Sequence, residues 1–231
     1  MELNQHILPV EAVTQDQKNQ MFDVMDRHFI HSDRAAFERD LTEKNWVLLL
    51  TDQQTNQIVG FSTQVLFRFK THLVLFSGDT IVDKDHWGSL ALHKAFGQLI
   101  TTLMKQHPDE PLYWMLISKG LRTYKFLPTF FLEYYPSYNR TTPPDIQQLL
   151  HELGRFRFPK TYNSTTGIIE VPDHSQYLDQ QFEPVKAIKP WETFYYQRNP
   201  GHAKGNELVC LARLSMDNFT PFIKNVLQKM L

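Results

Sequence analysis

One stretch restricts the fold of this chain more than any other: residues 74–103, VLFSGDTIVDKDHWGSLALHKAFGQLITTL. An apolar, β-branched run over residues 74–82 reaches a polar turn, Asp83-Lys84-Asp85-His86, and helical spacing of apolar residues begins near Gly88. Leu90, Leu92, Ala95, Phe96, Leu99, Ile100 and Leu103 form one helical face, suited to lying on a sheet. The pattern is a strand feeding a helix. A helix start leaves backbone N–H groups without intrahelical acceptors and carries the positive end of the helix dipole, so it suits a phosphate or pyrophosphate. Gly88 lets a ligand approach the backbone closely; the plainer alternative is a connection that holds nothing.

The rest of the chain bounds what can be built on that unit. With 231 residues it can bury a large core, as one domain or as a domain with an extension. Hydrophobic residues at 42% and charged residues at 21% exclude a mostly disordered chain. Aromatics reach 13%, which means either a large core or a core with an apolar groove. A net charge of -1 gives no electrostatic footprint for nucleic acid. The single cysteine, Cys210, sits in the apolar run LVCLA and reads as a small buried hydrophobe in a reducing compartment. No window approaches the roughly 18 uninterrupted apolar residues of a membrane span, and the N-terminus has no secretory pattern, so a soluble, cytoplasmic protein is expected.

In chain order, residues 14–31 read as an amphipathic helix, and a second helix follows a Ser32 cap, starting at Asp33. His28 and His31 share its neighbourhood without a third metal ligand and read as ordinary polar positions. Residues 46–50 and 58–66 form a hairpin across a polar turn, with Gly60 marking a bulge or a close backbone approach. The 74–82 run is the third strand of a meander. Residues 112–117 (LYWMLI) make a buried strand, and a helical pattern interrupted by Pro128 spans residues 121–135. Beyond a Pro- and Thr-rich linker come a short helix at 146–153, strands at 167–171 and 208–214, and a last helix from Asp217 onward. The aromatic cluster at residues 194–196 and the Asn199-Pro200-Gly201 turn read as a loop and hairpin completing a sheet. The alternative is a substrate site holding Arg198, His202, Lys204 and Glu207.

This element order, a hairpin leading into a strand–helix–strand–helix unit, resembles the acyl-CoA-dependent N-acyltransferase superfamily, the GNAT fold. The resemblance covers about residues 10–135 and implies an α/β domain over residues 1–140, with a central mixed sheet flanked by helices. Residues 141–231 then form a C-terminal α+β extension shaping the acceptor or acyl pocket. In the family, the strand before the central helix lies along the pantetheine arm. A Gln/Arg-x-x-Gly-x-Gly/Ala turn wraps the pyrophosphate. Asp85-His86-Trp87-Gly88-Ser89-Leu90 occupies that turn; Gly88 matches the first glycine, while Asp85 and Leu90 depart from the pattern. The resemblance therefore implies donor contacts at Ile81, Val82, Trp87, Gly88, Ser89 and Leu90. The donor is an acyl-CoA or an acyl carrier protein, and no metal is required. The acceptor is an amine of a small molecule or peptide, and the protein a monomer or homodimer.

Transfer from a thioester to an amine needs a base for the amine, a stabilised oxyanion and a departing thiolate. Asp79 interrupts an otherwise apolar strand, so its carboxylate is paired, solvated in a cleft or shifted in pKa. It is the first candidate base, against a salt bridge to a neighbouring strand. His86 and His202 are reserves. Tyr124 falls where the family often has the tyrosine that protonates the thiolate; the alternative is a core tyrosine with its hydroxyl on a backbone carbonyl. Aromatic richness suggests an acyl chain longer than acetyl. The contrasting expectation is a GNAT-like scaffold that has lost catalysis and serves as a binding domain.

Overall fold

The computed structural model describes residues 2–172, 175–182 and 189–228. In chain order the elements are β1 (Leu3–Pro9), α1 (Gln15–His28), β2 (Phe29–Ile30), α2 (Arg34–Thr42), β3 (Trp46–Asp52), β4 (Ile58–Phe69), β5 (His72–Val82), α3 (Ala91–Gln106) and β6 (Leu112–Ser118). There follow α4 (Leu121–Tyr124), α5 (Phe126–Phe130), α6 (Pro144–Arg157), β7 (Tyr162–Asn163), β8 (Ile168–Ile169), β9 (Tyr177–Leu178), α7 (Pro190–Arg198), β10 (Glu207–Arg213) and α8 (Pro221–Gln228).

Eight strands form one mixed sheet in the order β1-β3-β4-β5-β6-β10-β8-β7, and β2 pairs with β9 separately. Only β5 and β6 run parallel, joined by the α3 crossover; the other neighbours are antiparallel. The expected α/β architecture, a central mixed sheet flanked by helices with further C-terminal elements, is the one present. On one face α3 packs its expected apolar stripe, Ala95, Phe96, Leu99, Ile100 and Leu103, on Leu48, Leu50 and Leu75. On the other, α1 and α2 cover Val47, Leu49 and Phe61, while α6 covers Val74, Phe76 and Met115. The space between these two coverings is left open, and the site lies there.

Several local readings change. The second helix is capped by Asp33, whose Oδ1 accepts from the Ala35 and Ala36 amides at 2.9 and 3.2 Å; the Ser32 hydroxyl turns back to the Phe29 carbonyl. The central helix begins at Ala91 rather than Gly88, because Gly88 takes φ +95, a left-handed conformation no α-helix continues through. The aromatic cluster at 194–196 belongs to α7, not to a hairpin, with Trp191 and Tyr195 turned inward four residues apart. The last helix starts at Pro221, and the end of its expected span lies outside the described residues. At Gly60 both readings hold: the register slips beside it against β3, and a Cβ there would lie 2.9 Å from the Ile81 carbonyl oxygen.

Candidate functional site

The site originates in a fault between two parallel strands. Pairing of β5 with β6 ends at Ser77 and Leu116, yet β5 continues to Val82 and β6 to Ser118, so the strands part and open a gap in the sheet. The same stretch of β5 is bulged. Against β4, Ser77 faces Gln64 and Thr80 faces Ser62, so Gly78 and Asp79 together oppose Thr63. The extra residue reverses the alternation of side chains. Leu75 packs on the α3 face; simple alternation would send residue 79 to that core as well. After the bulge Ile81 lies on the side of α1 and α2, and Asp79 opens to the cleft on that side. Gly78 suits the spot, since a Cβ would lie 2.7 Å from Thr63 Oγ1.

Two clefts meet at this gap. The larger, of about 720 Å³, is walled by α2, β5 and the end of α6 and includes Asp40, Lys44, Gly78, Asp79, Lys119 and Glu207. The smaller, of about 360 Å³, runs along Thr80, Ile81 and Val82 to the turn before α3, with Lys119, Arg122, Lys125 and Phe126 opposite. Phe29, Thr80, Lys119 and Thr123 line both.

In the larger cleft the cations are spoken for. Lys44, its side chain fully buried, pairs with Asp40 at 2.7 Å; Lys119 pairs with Glu207 at 3.1 Å, and Arg157 with Glu43 at 3.0 Å. Asp79 has no hydrogen-bond or ion-pair partner among the described residues. Burial pushes its pKa up to about 6, Asp40 adds to the rise, and Lys119 and Lys44 oppose it. The salt bridge weighed for Asp79 from sequence is therefore absent among the described residues. The carboxylate is ionised at neutral pH, yet poised to take a proton.

In the smaller cleft all six residues expected at the donor site, Ile81, Val82, Trp87, Gly88, Ser89 and Leu90, line one wall, together with His86. The Trp87 indole donates to the Val82 carbonyl at 2.8 Å, fixing the turn to the strand, and the Arg122 guanidinium lies 3.2 Å from the Trp87 ring centroid. Among the described residues, its chain neighbours aside, no atom lies within 4 Å of where a Gly88 Cβ would stand, so the backbone is open to them there. His93 stacks on Phe126 at 4.6 Å, and burial lowers its pKa to about 4, leaving it neutral.

Other expectations are corrected. Tyr124 does not face the gap: it is fully buried, donates to the Pro136 carbonyl at 3.0 Å and packs on Tyr195, so the core alternative is the geometry found. Burial raises its phenol further from any useful pKa. Arg198 and His202 lie away from both clefts. The Arg198 guanidinium donates to the Thr166 carbonyl at 3.1 Å, and the His202 ring contacts the Asn199 carbonyl at 3.0 Å. Glu207 alone of that group reaches the site, as the partner of Lys119. Sequence reading missed Lys44, Thr80, Lys119 and Thr123. The available signal was Lys119-Gly120, placed directly after a buried strand that runs parallel to the one carrying Asp79.

The sequence matches no protein-family model and no curated protein. Solved structures similar to this chain include several acetyltransferases, all at low identity. They include the NatC complex bound to Gag peptide and CoA, 14% identical over 58% of this chain and 88% of that chain, with a TM-score of 0.44. A ribosomal-protein-S18-alanine N-acetyltransferase from Escherichia coli is 14% identical over 60% of this chain and 86% of its own, with a TM-score of 0.40. A GNAT family N-acetyltransferase from Escherichia coli in complex with CoA is 13% identical over 57% and 71%, also at 0.40.

Proposed function

We propose that the protein transfers an acyl group from a coenzyme A or carrier-protein thioester to an amine of a small molecule or peptide. The observation that carries this reading is the meeting of two clefts at the gap between β5 and β6, with the Asp79 carboxylate, unpartnered and raised to about 6, on the larger cleft's side. An ammonium complements that cleft, because its wall cations already have acidic partners. Asp79 takes the proton that the amine must lose to become a nucleophile. Open backbone at Gly88 and the positive charge of Arg122 and Lys125 suit the phosphates of a CoA donor. Much of the rate comes from holding both substrates across the gap.

The aromatic residues that suggested a long acyl chain are spent largely on the core, where Phe96, Trp114, Phe130 and Phe131 pack ring on ring. The void behind Thr80 is about 10 Å³, so a chain longer than acetyl lies along Leu178 and Phe182 in the donor cleft instead.

A thermal-shift series with CoA, acetyl-CoA and longer acyl-CoAs tests the reading. A donor at about 100 times its Kd adds roughly 2.7 kcal/mol and raises the midpoint. A rise that grows with chain length assigns a long-chain donor. No rise with any thioester overturns CoA dependence, and no rise with an acyl carrier protein as well leaves the binding-domain reading in its place.

A further inference from the structure

A chain of buried hydrogen bonds leads from the core to the gap. The Trp114 indole donates to Ser77 Oγ at 2.8 Å, Ser77 Oγ donates to Gln64 Oε1 at 2.6 Å, and Gln64 Nε2 donates to Ser62 Oγ at 2.7 Å. Ser62 Oγ then lies 2.7 Å from Thr80 Oγ1. Ser62, Gln64, Ser77 and Trp114 are each no more than 3% exposed, so no solvent relieves an unmet donor among them. Thr80 is the exception, lining both clefts.

The direction of this chain is fixed at its buried end. An indole N–H donates and never accepts, so Ser77 must accept from Trp114 and pass its own hydrogen to Gln64. That orients the Gln64 amide with its nitrogen toward Ser62. Ser62 accepts there, and among the described residues the acceptor left for its hydrogen is Thr80 Oγ1. Were Thr80 to donate to Ser62 instead, a hydroxyl hydrogen of Ser62 would be buried unpaired. The Thr80 hydrogen is thus left with the Gly78 carbonyl at 3.3 Å, a long contact that a better acceptor displaces. Each donated bond also polarises the next, which strengthens Thr80 as a donor.

We propose that Thr80 is a catalytic hydrogen-bond donor to the acyl carbonyl oxygen, and that Trp114, Ser77, Gln64 and Ser62 are positioning residues that hold its hydrogen toward the gap. The inference rests on the acyl-transfer reading above. As the amine nitrogen bonds to the carbonyl carbon, the carbonyl π pair moves to oxygen, where Thr80 O–H meets it. Asp79 holds the first proton, taken from the ammonium before attack; the oxygen then re-forms the double bond, the C–S bond breaks with its electron pair on sulfur, and the second proton of the amine nitrogen passes to that thiolate. The bulge makes the arrangement achievable: it places Asp79 toward one cleft and leaves Thr80, the next residue, against the buried chain.

The test compares wild type with Thr80→Val, Thr80→Ser and Trp114→Phe, in turnover of acetyl-CoA with benzylamine as acceptor, in acetyl-CoA binding and in NMR. Thr80→Val keeps shape and loses the hydroxyl; kcat falls about 100-fold with donor KM unchanged, and the melting temperature falls because the Ser62 hydrogen is left buried without its acceptor. Thr80→Ser recovers most of the loss. Trp114→Phe, which removes the first donor, lowers kcat by about 3- to 10-fold without changing donor KM. Independently of activity, the indole N–H cross-peak that Trp114→Phe deletes is displaced by Thr80→Val. Thr80→Val turnover within threefold of wild type, or an unmoved indole peak, overturns the role of Thr80 alone. Wild type that neither binds nor consumes a thioester overturns the acyl-transfer reading and this inference with it.

Discussion

A carboxylate held near pKa 6 inside a cleft is a destabilising group kept in place, and Asp79 can be read through that cost. Its ordinary pKa of 3.8 is raised to about 6 on folding, so the native state holds this proton more tightly than the unfolded chain. Asp79 therefore leaves stability intact below about pH 4 and lowers it as pH rises through 6. Asp79→Asn removes the penalty: the variant gains about 1–3 kcal/mol over wild type at pH 8 and little at pH 4, read from denaturant unfolding at the two pH values. The same substitution lowers turnover by about 100- to 10,000-fold, and the wild-type kcat/KM rises through a limb near pH 6 that the variant lacks. Tyr124 gives the opposite pattern. With its hydroxyl on the Pro136 carbonyl, Tyr124→Phe costs about 1–2 kcal/mol of stability and leaves kcat within a few-fold of wild type. Asp79 was legible in sequence because a charge in an apolar strand demands an explanation. The depth of Tyr124 was not, because it is set by Trp191 and Tyr195, which lie far along the chain.

At the scale of elements, the strand–turn–helix unit of residues 74–103 was legible because both periodicities are uninterrupted there. The short strands β2, β7 and β9 were hidden, and so were two longer elements. Strand β1 is a half-exposed edge paired on one side, and its sequence LNQHILP has no continuous apolar face to betray it. Helix α7 carries aromatic residues on several sides, so no stripe with helical spacing stands out. The bulge was beyond sequence altogether, since Gly78-Asp79 is read as ordinary strand until the β4 register is known. Gly78→Ala tests how much the site depends on it. The new methyl meets Thr63 Oγ1 and, at 3.2 Å, Lys44 Cε, beside the ion pair that buried Lys44 makes with the exposed Asp40. Stability falls by about 1–3 kcal/mol, and activity falls more than that loss explains, because Asp79 and Thr80 flank the displaced backbone. Unfolding curves and steady-state kinetics on the same sample separate the two effects.

At the scale of the whole molecule, the sheet runs through both parts of the chain that the Pro- and Thr-rich linker divides. Strand β10 lies between β6 and β8 and pairs with β6 from Leu208 to Arg213, and Tyr135 bridges to Leu211 beside it. Further on, Phe219 bridges to Phe131, and Leu227 fills the space that Gly97 leaves on α3, with Cδ2 2.5 Å from where a Cβ would stand. Leu208, Val209, Leu211, Phe219, Ile223 and Leu227 are each at most 2% exposed. At about 1.5–3 kcal/mol for each buried side chain, their joint loss is comparable to the roughly 5–15 kcal/mol by which a domain is stable. It also uncovers β6 as a long apolar edge. Residues 1–140 alone are therefore expected to show no cooperative thermal transition and to bind a hydrophobic dye. Residues 141–231 supplied as a separate polypeptide should restore the transition, because they complete the core as well as bringing Glu207 to Lys119 in the cleft wall. A sharp, dye-free melt of residues 1–140 by themselves would mean that the segment after the linker is an accessory to a self-sufficient domain; loss of the melt means that the fold and the larger cleft are built together.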